Sequence, residues 1–271
     1  MLINHGNPPV LTLAGTTFLE TVENILFELD GSISRCKSLT NNVVGKLAIQ
    51  DPVMDSTIAN QSIDVFMYFS ENYPNVDIDL IPLRGKTIEE GLRSGEIDAG
   101  YLMAYGDESQ VISEQAQRGI VAFPLRRRKF SVWMSKSHPL ARKTNLHVTD
   151  LAEYPILIPA DRLFDDWRLV LEMLGQANGF MPKFNLRVTT SLNGYFALNT
   201  GEGVVILSDA FLHDPRFLMR KDMETFELAD ENSYYTLYFV YLEKNTNPSL
   251  DLFATQLRQK SDVPTGVADS C

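Results

Sequence analysis

Apolar and polar residues recur along this chain with two different periods, and each change of period marks a predicted element. Residues 76–81 (VDIDLI) alternate strictly, which is typical of a half-buried strand, whereas apolar residues in 58–69 recur at helical spacing. Shorter apolar runs at residues 46–49 and 97–103 predict two further strands. Repeated strand–helix–strand order predicts parallel strands joined by crossover helices, and therefore an α/β fold.

A second strand–helix series follows a basic run at residues 126–129 (RRRK). It begins with a strand at 130–134 and ends with one at 204–207; a β-prone run at 234–241 and a final helix that begins after Asn247 come after it. We therefore expect a second lobe. Its other predicted elements are strands at 156–159 and 184–188 and helices at 163–174 and 192–200.

Before the first strand, apolar residues spaced three and four apart predict one long helix with a narrow apolar seam. A seam this narrow suits a partner helix, so we expect the chain to form a homodimer or homotetramer. The alternative is that the seam packs on its own domain. The seam residues are Phe18, Val22, Ile25, Leu29, Ile33 and Cys36.

Composition narrows the possible classes of protein. With 271 residues, 44% of them hydrophobic, the chain can bury a core without disulfides, and its two cysteines, Cys36 and Cys271, have neither a disulfide nor a metal-ligand pattern. No run approaches the roughly 20 apolar residues needed to cross a bilayer, and the first 15 residues lack a secretion signal, which predicts a cytoplasmic protein without membrane contact. The net charge of −11 disfavours nucleic-acid binding by this chain. We expect no metal and no cofactor.

Five short motifs then occur in a fixed order. Together and in that order, they resemble the motifs of LysR-type transcriptional regulators. The resemblance extends from about residue 2 to residue 259. The motifs are 11–15 (LTLAG), 72–76 (NYPNV), 94–99 (SGEIDA), 138–141 (HPLA, followed by VTDLAEYPILI at 148–158) and 201–207 (GEGVVIL, with Ser208 where the family has proline).

The resemblance implies two Rossmann-like lobes of periplasmic-binding-protein type II, preceded by a long linker helix. It implies a remnant of a winged DNA-binding domain (1–15), a linker and dimerisation helix (16–42), lobe I (43–128 with 231–262) and lobe II (129–230). The small and polar residues at 263–271 predict a disordered tail. The family binds DNA through a helix-turn-helix that would precede the wing. By this resemblance, the sequence begins inside the wing. It is therefore either part of a longer transcription factor or a protein that senses and self-associates without reading DNA.

Ligands of such folds settle at the carboxyl ends of strands, near helix N-termini. Hydroxyls of Ser56 and Thr57 follow the first strand, and Arg84, Lys86 and Thr87 follow the second, so we expect a small organic acid to bind there. The resemblance implies the same class of ligand. The alternatives are helix capping by the hydroxyls and solvated cations at Arg84 and Lys86.

Lobe II is expected to complete this effector site with Asp161, Arg162, Thr190 and Ser191. Arg162 could bind a carboxylate as a bidentate donor, or could instead pair with Asp165 or Asp166. At the end of the third strand, Tyr101 and Met103 are candidates to line the cleft. Phe164 and Trp167 are instead expected in the core.

No catalytic residues are predicted, because the chain has no nucleophile elbow, zinc-protease motif or phosphate-binding loop. His138 and His147 are expected to be solvated. The sequence therefore predicts a sensor in which an effector shifts the arrangement of the lobes. The alternatives are a free-standing solute-binding protein and an enzyme on the same scaffold.

Overall fold

The computed structural model describes residues 3–4, 10–12, 14–19, 21–22, 25, 45–51, 56–83, 86–160, 164–187, 200–201, 203–211 and 219–259. At the amino terminus, strands β1 (Ile3–Asn4) and β2 (Val10–Leu11) form a short antiparallel pair. Residues 14–19 are helical, as are 21–22 and 25. The rest of the predicted linker helix, including Leu29, Ile33 and Cys36, lies outside the described residues, as do Cys271 and the predicted tail.

Lobe I is built on a sheet whose two faces are both covered. Strand β3 pairs in parallel with β4 and β5, whereas the late strand β11 pairs antiparallel with β5 and β6. The last strand pairs with β5 and β6, and the last helix packs against β3 and the first helix of this sheet. The elements are β3 (Gly45–Gln50), α1 (Ser56–Asn72), β4 (Val76–Ile81), α2 (Ile88–Arg93), β5 (Ala99–Ala104), α3 (Glu108–Gln117), β6 (Ile120–Ser135), β11 (Tyr234–Leu242) and α5 (Pro248–Gln259).

Two features of lobe I differ from the sequence prediction. The third strand begins at Ala99 instead of residue 97, because Ile97 and Asp98 belong to the turn that leads into it. Helix α3 was not predicted. Its sequence, ESQVISEQAQ, buries only Val111 and so carries almost no apolar period, and the element is identified by its Asp107 cap, which accepts the Gln110 N–H at 3.0 Å.

Lobe II is formed around the second half of β6, which continues without a break through the predicted boundary at residues 128 and 129. Strands β9 and β10 flank it in antiparallel pairing. Strands β7 and β8 form a separate parallel pair, which is connected to the residue before β9 by a hydrogen bond from Leu157 N–H to Val204 O at 2.8 Å. The short strand β10 was not predicted. The elements are β7 (Pro155–Pro159), α4 (Asp165–Ala177), β8 (Lys183–Arg187), β9 (Val205–Ser208) and β10 (Met223–Glu227). The predicted helix at 192–200 lies almost wholly outside the described residues.

Close packing explains the second glycine of the 201–207 motif. A Cβ atom on Gly203 would lie 2.1 Å from Leu157 Cδ1 and 2.8 Å from Pro155 O, so β7 leaves no room for a side chain. The glycine is therefore required by the contact between the loop and β7.

His138 is not solvated, contrary to the sequence prediction. It is buried in lobe II, where its Nδ1 accepts the Leu140 N–H at 3.2 Å and its ring lies 4.6 Å from that of Tyr154. The HPLA motif is thus the start of a 3-10 helix (Pro139–Arg142) that the imidazole caps. His147 is half-exposed, with Nδ1 3.3 Å from Asp230 Oδ1.

Candidate functional site

Strands β6 and β11 cross between the lobes, and one face of this crossing lies between two apolar cores. Cross-strand pairing places Arg126 opposite Leu237 and Arg128 opposite Tyr235. Leu237 belongs to the core of lobe I and Tyr235 to the core of lobe II. Both arginines therefore lie on the same face, at the boundary between the two cores. We call this region the junction.

The junction carries charge that is largely shielded from water. The Arg128 side chain is 12% exposed, and its Nη1 lies 3.7 Å from Oδ1 of Asp209, the residue that follows β9. On the opposite face, Arg127 Nε donates to Glu108 Oε1 at 2.8 Å and its guanidinium lies 5.2 Å from the Tyr234 ring centroid. The run RRRK therefore divides between two faces, as alternation in a strand requires.

The strand ends of the two lobes face each other across this boundary. Because β5 and β6 are both antiparallel to β11, they run in the same direction, from lobe I toward lobe II. Strand β9 runs antiparallel to β6, so its carboxyl end, where Asp209 follows, points back toward lobe I. Ligands of parallel α/β sheets bind at such carboxyl ends.

Of the predicted effector residues, Met103 lies at the junction. It is opposite Leu237 in the β5–β11 pairing and packs against both cores. Tyr101, two residues earlier on β5, is buried within lobe I, with its ring 5.6 Å from that of Phe239, and its N–H donates to the Gln50 side chain at 2.9 Å. Tyr101 is therefore part of the lobe I core and does not line a cleft, contrary to the sequence prediction.

Thr87 and Lys86 both make contacts within lobe I. The Thr87 hydroxyl accepts the Glu90 N–H at 3.2 Å and the Thr87 N–H donates to Glu90 Oε2 at 2.7 Å, so the two residues form a capping box at the start of α2. Lys86 Nζ lies 2.6 Å from Glu96 Oε2.

The remaining predicted effector residues are described in part or not at all. Ser56 and Thr57 form the first turn of α1, but their side chains lie outside the described part of the chain. Their position nevertheless places a helix N-terminus after the carboxyl end of β3. Outside the described residues altogether are Arg84, Asp161, Arg162, Thr190 and Ser191.

Helix α4 begins with two carboxylates, either of which was a predicted partner for Arg162. Asp165 accepts a hydrogen bond from Arg168, and burial, with the nearby Asp165 charge, raises the pKa of Asp166. Phe164 and Trp167 are buried in the lobe II core, which confirms that part of the prediction.

Within the described ranges, no cluster of three or more histidine, cysteine or acidic side chains could hold a metal ion. The helices of that same portion of the chain are too short or too polar to cross a bilayer.

The basic pair at the junction was missed by the sequence analysis, which treated residues 126–129 only as a change of composition. Part of the signal was available, because largely apolar residues flank the basic run on both sides, at 120–123 and 130–134. Pro124 obscured it, since a proline normally marks the end of a strand, and here it lies at the irregularity in the β6–β11 register. One uninterrupted strand carrying alternate arginines across a boundary accounts for this pattern.

Comparison with known proteins identifies the family. The chain matches the model of the LysR substrate binding domain over residues 53–262. The HTH-type transcriptional regulator cbl of Escherichia coli is 26% identical over 228 residues, which are 83% of this chain and 67% of that protein. The regulator YnfL of the same species, itself uncharacterized, is 22% identical over 246 residues, 89% of this chain and 76% of that protein.

Solved structures share the fold. CbnR in complex with its target DNA superposes with a TM-score of 0.59 at 19% identity, covering 93% of this chain and 82% of that chain. The BenM effector-binding domain with its effector benzoate gives 0.58 at 18% identity, covering 81% and 96%. A full-length OxyR variant from Pseudomonas aeruginosa gives 0.62 at 15% identity, covering 95% and 80%. Since the substrate-binding model spans most of the sequence and the curated relatives are regulators rather than enzymes, the chain belongs to the LysR family of transcriptional regulators.

Proposed function

We propose that this chain senses a small organic acid in the cleft between its lobes and transmits binding as a change in their arrangement. The observation that carries the proposal is the junction, where strand ends of both lobes converge on a face holding two partly buried arginines, Arg126 and Arg128. The start of α1 adds helix N-terminal amides, which favour an anion. The predicted ligand groups Ser56, Thr57, Arg84, Lys86, Thr87, Arg162, Thr190 and Ser191 stay part of this proposal.

The crossing strands suggest how binding could be transmitted. Since β6 and β11 run through both lobes, a small rotation about them changes the distance between the strand ends without breaking either core. A ligand that contacts both lobes favours the closer arrangement, and the size of the shift is limited by its differential affinity for the two arrangements. The relatives carry helix-turn-helix segments, so such a rotation would alter how DNA-binding domains are placed.

The first prediction concerns the ligand class. Benzoate, salicylate, succinate and citrate form a carboxylate panel, and at least one member is expected to raise the melting temperature of the chain. At about one hundred times Kd, the stabilisation would be about 2.7 kcal/mol, or roughly 5–10 °C for a chain of this size. Differential scanning fluorimetry measures the shift.

Neutral analogues provide the control for this experiment. Benzamide and succinamide have nearly the same shape as two panel members but carry no charge, and should leave the melting temperature unchanged. Equal shifts from the acids and their amides would contradict an anion site, as would a panel that shifts nothing.

The second prediction concerns assembly, which we propose occurs through the linker-helix seam. Phe18 and Ile25 are 56% and 59% exposed on this chain, which supports a partner helix over packing against its own domain. Charging the seam with Ile25→Glu and Leu29→Glu should therefore lower the mass of the oligomer in sedimentation, because two glutamates would face the partner.

A matched variant is Leu19→Glu, which adds a charge to the same helix outside the seam, at a residue that is itself exposed. It should leave the sedimenting mass unchanged. If the double seam variant also keeps the mass of the wild type, the seam packs within its own subunit.

A further inference from the structure

Asp209 and Arg128 form a loose contact at the junction. Their closest nitrogen–oxygen distance is 3.7 Å, which allows an ion pair but is longer than a hydrogen bond. The Ser208 hydroxyl donates to the same Oδ1 at 3.2 Å. Asp209 therefore neutralises Arg128 without forming the two parallel hydrogen bonds that a guanidinium can make with a carboxylate.

Asp209 also begins a turn that lies between the lobes. The 3-10 turn Asp209–Phe211 follows β9, and the Phe211 side chain is buried in lobe II with Trp133 and Leu207. The same turn packs against α1 of lobe I and against β6. Its carboxylate thus occupies the place where a ligand held by both lobes would contact Arg128.

We propose that Arg128 is the carboxylate-recognising residue of the cleft and that Asp209 is its internal substitute when no ligand is bound. The inference rests on the proposed function, and names the residue and the exchange through which the acid is recognised. A ligand carboxylate replaces the Asp209 carboxylate, forms a bidentate pair with the guanidinium, and releases the turn between the lobes.

Physical chemistry favours such an exchange. One carboxylate replaces another, so the guanidinium is never left without an anion, which would be costly at a site this shielded. Two well-directed, charge-assisted hydrogen bonds are stronger than a contact at 3.7 Å. Arg126 adds a second positive charge on the same face, which selects for anions over neutral analogues of the same shape.

Removing the charge of the internal competitor should strengthen ligand binding. Asp209→Asn keeps the shape of the side chain, and its affinity for the best-binding member of the carboxylate panel is expected to rise about fivefold, the amount that a partly exposed ion pair can contribute. Arg128→Gln should lower that affinity more than tenfold. Isothermal titration measures both, with circular dichroism as the check on folding.

Two further variants keep the test decisive. Arg128→Lys preserves the charge and loses the bidentate geometry, so it should bind the acid more weakly than the wild type even if Arg128→Gln does not fold. Asp222→Asn removes a carboxylate whose two oxygens each lie 2.9 Å from Arg220, an ion pair at the start of β10, and should leave the affinity unchanged.

A readout without ligand separates this inference from the proposed function. Hydrogen exchange of the turn at residues 209–211 should be faster in Asp209→Asn than in the wild type and unchanged in Asp222→Asn. If the wild type binds a panel acid but Asp209→Asn and Arg128→Lys bind it equally well, the exchange is overturned and the carboxylate sensor stands. If neither the wild type nor Asp209→Asn binds any panel acid, both proposals fail.

Discussion

Replacement of Trp167 by alanine is expected to lower the free energy of unfolding by about 4 kcal/mol. The ring is buried, with its centroid 5.7 Å from that of Phe130 and 5.2 Å from that of Tyr235. Its Nε1 donates to Ile206 O at 3.2 Å. Alanine would leave a large cavity beside β6 and β11 and a buried carbonyl without its donor, so both the packing and the hydrogen-bonding costs apply.

Urea unfolding followed by far-UV circular dichroism measures this effect. Trp167→Phe should cost less than alanine, because it restores much of the volume but not the indole donor. Leu169→Ala, on the exposed side of the same helix, should change stability by less than about 0.5 kcal/mol. A Trp167→Ala variant no less stable than Leu169→Ala would contradict the described packing of α4.

The second large effect is expected at Asp98, within the SGEIDA motif. Its Oδ2 accepts the Ala48 N–H at 2.9 Å and the Asn247 side-chain amide at 3.1 Å, and its Oδ1 lies 3.4 Å from the Asn245 amide nitrogen. This carboxylate thus joins β3, the start of β5 and the loop before α5. Asp98→Ala should destabilise the chain by about 3 kcal/mol, because several donors would be left without an acceptor.

The matched control is Asp77→Ala, an exposed carboxylate on the neighbouring strand β4, which should cost little. Equal stability losses for the two alanine variants in urea unfolding would show that Asp98 does not hold the three segments together.

Asp98 should make the stability of the chain depend on pH in a direction that follows from its pKa. Burial raises the pKa of Asp98 above its ordinary value of 3.8, although the Ala48 N–H and the two asparagine amides oppose the shift. The folded state therefore favours the protonated form of Asp98. The contribution of this proton to the free energy of unfolding is fully present below pH 3.8 and is lost as pH rises through the pKa that Asp98 has in the folded state. The stability advantage of the wild type over Asp98→Asn should accordingly be larger at pH 4 than at pH 7.

Local patterns predicted much of the architecture and failed where tertiary contacts override them. The strict alternation at residues 76–81 predicted β4 with its observed bounds. Helix α3 was not predicted because its stability depends on a cap and on one buried valine rather than on an apolar stripe. His138 was misjudged because an imidazole in a turn has no local signature of burial, and here it is the packing of Tyr154 that excludes water.

The site was predicted less completely than the fold. The carboxyl strand ends and the start of α1 follow from the order of elements. Met103, a predicted cleft residue, packs against both cores, and its contact with an effector stays a prediction. The sequence could not show on which face of β6 the side chains of Arg126 and Arg128 lie. That face depends on the register between β6 and β11, which includes an irregularity at Leu237 and Tyr238. A shift of one residue in that register would reverse both side chains.

Properties that depend on near neighbours in the chain could be predicted from local patterns. These include the periods of the helices and strands, the Thr87 capping box and the motif order that the family shares. The residues that meet across the boundary between the lobes could be identified only from the folded chain. Asp209 lies beside Arg128, and Asp98 beside Asn247, because strands distant in the chain pair in one register. That register is set by the burial of both cores together, a property that no short segment of the chain contains.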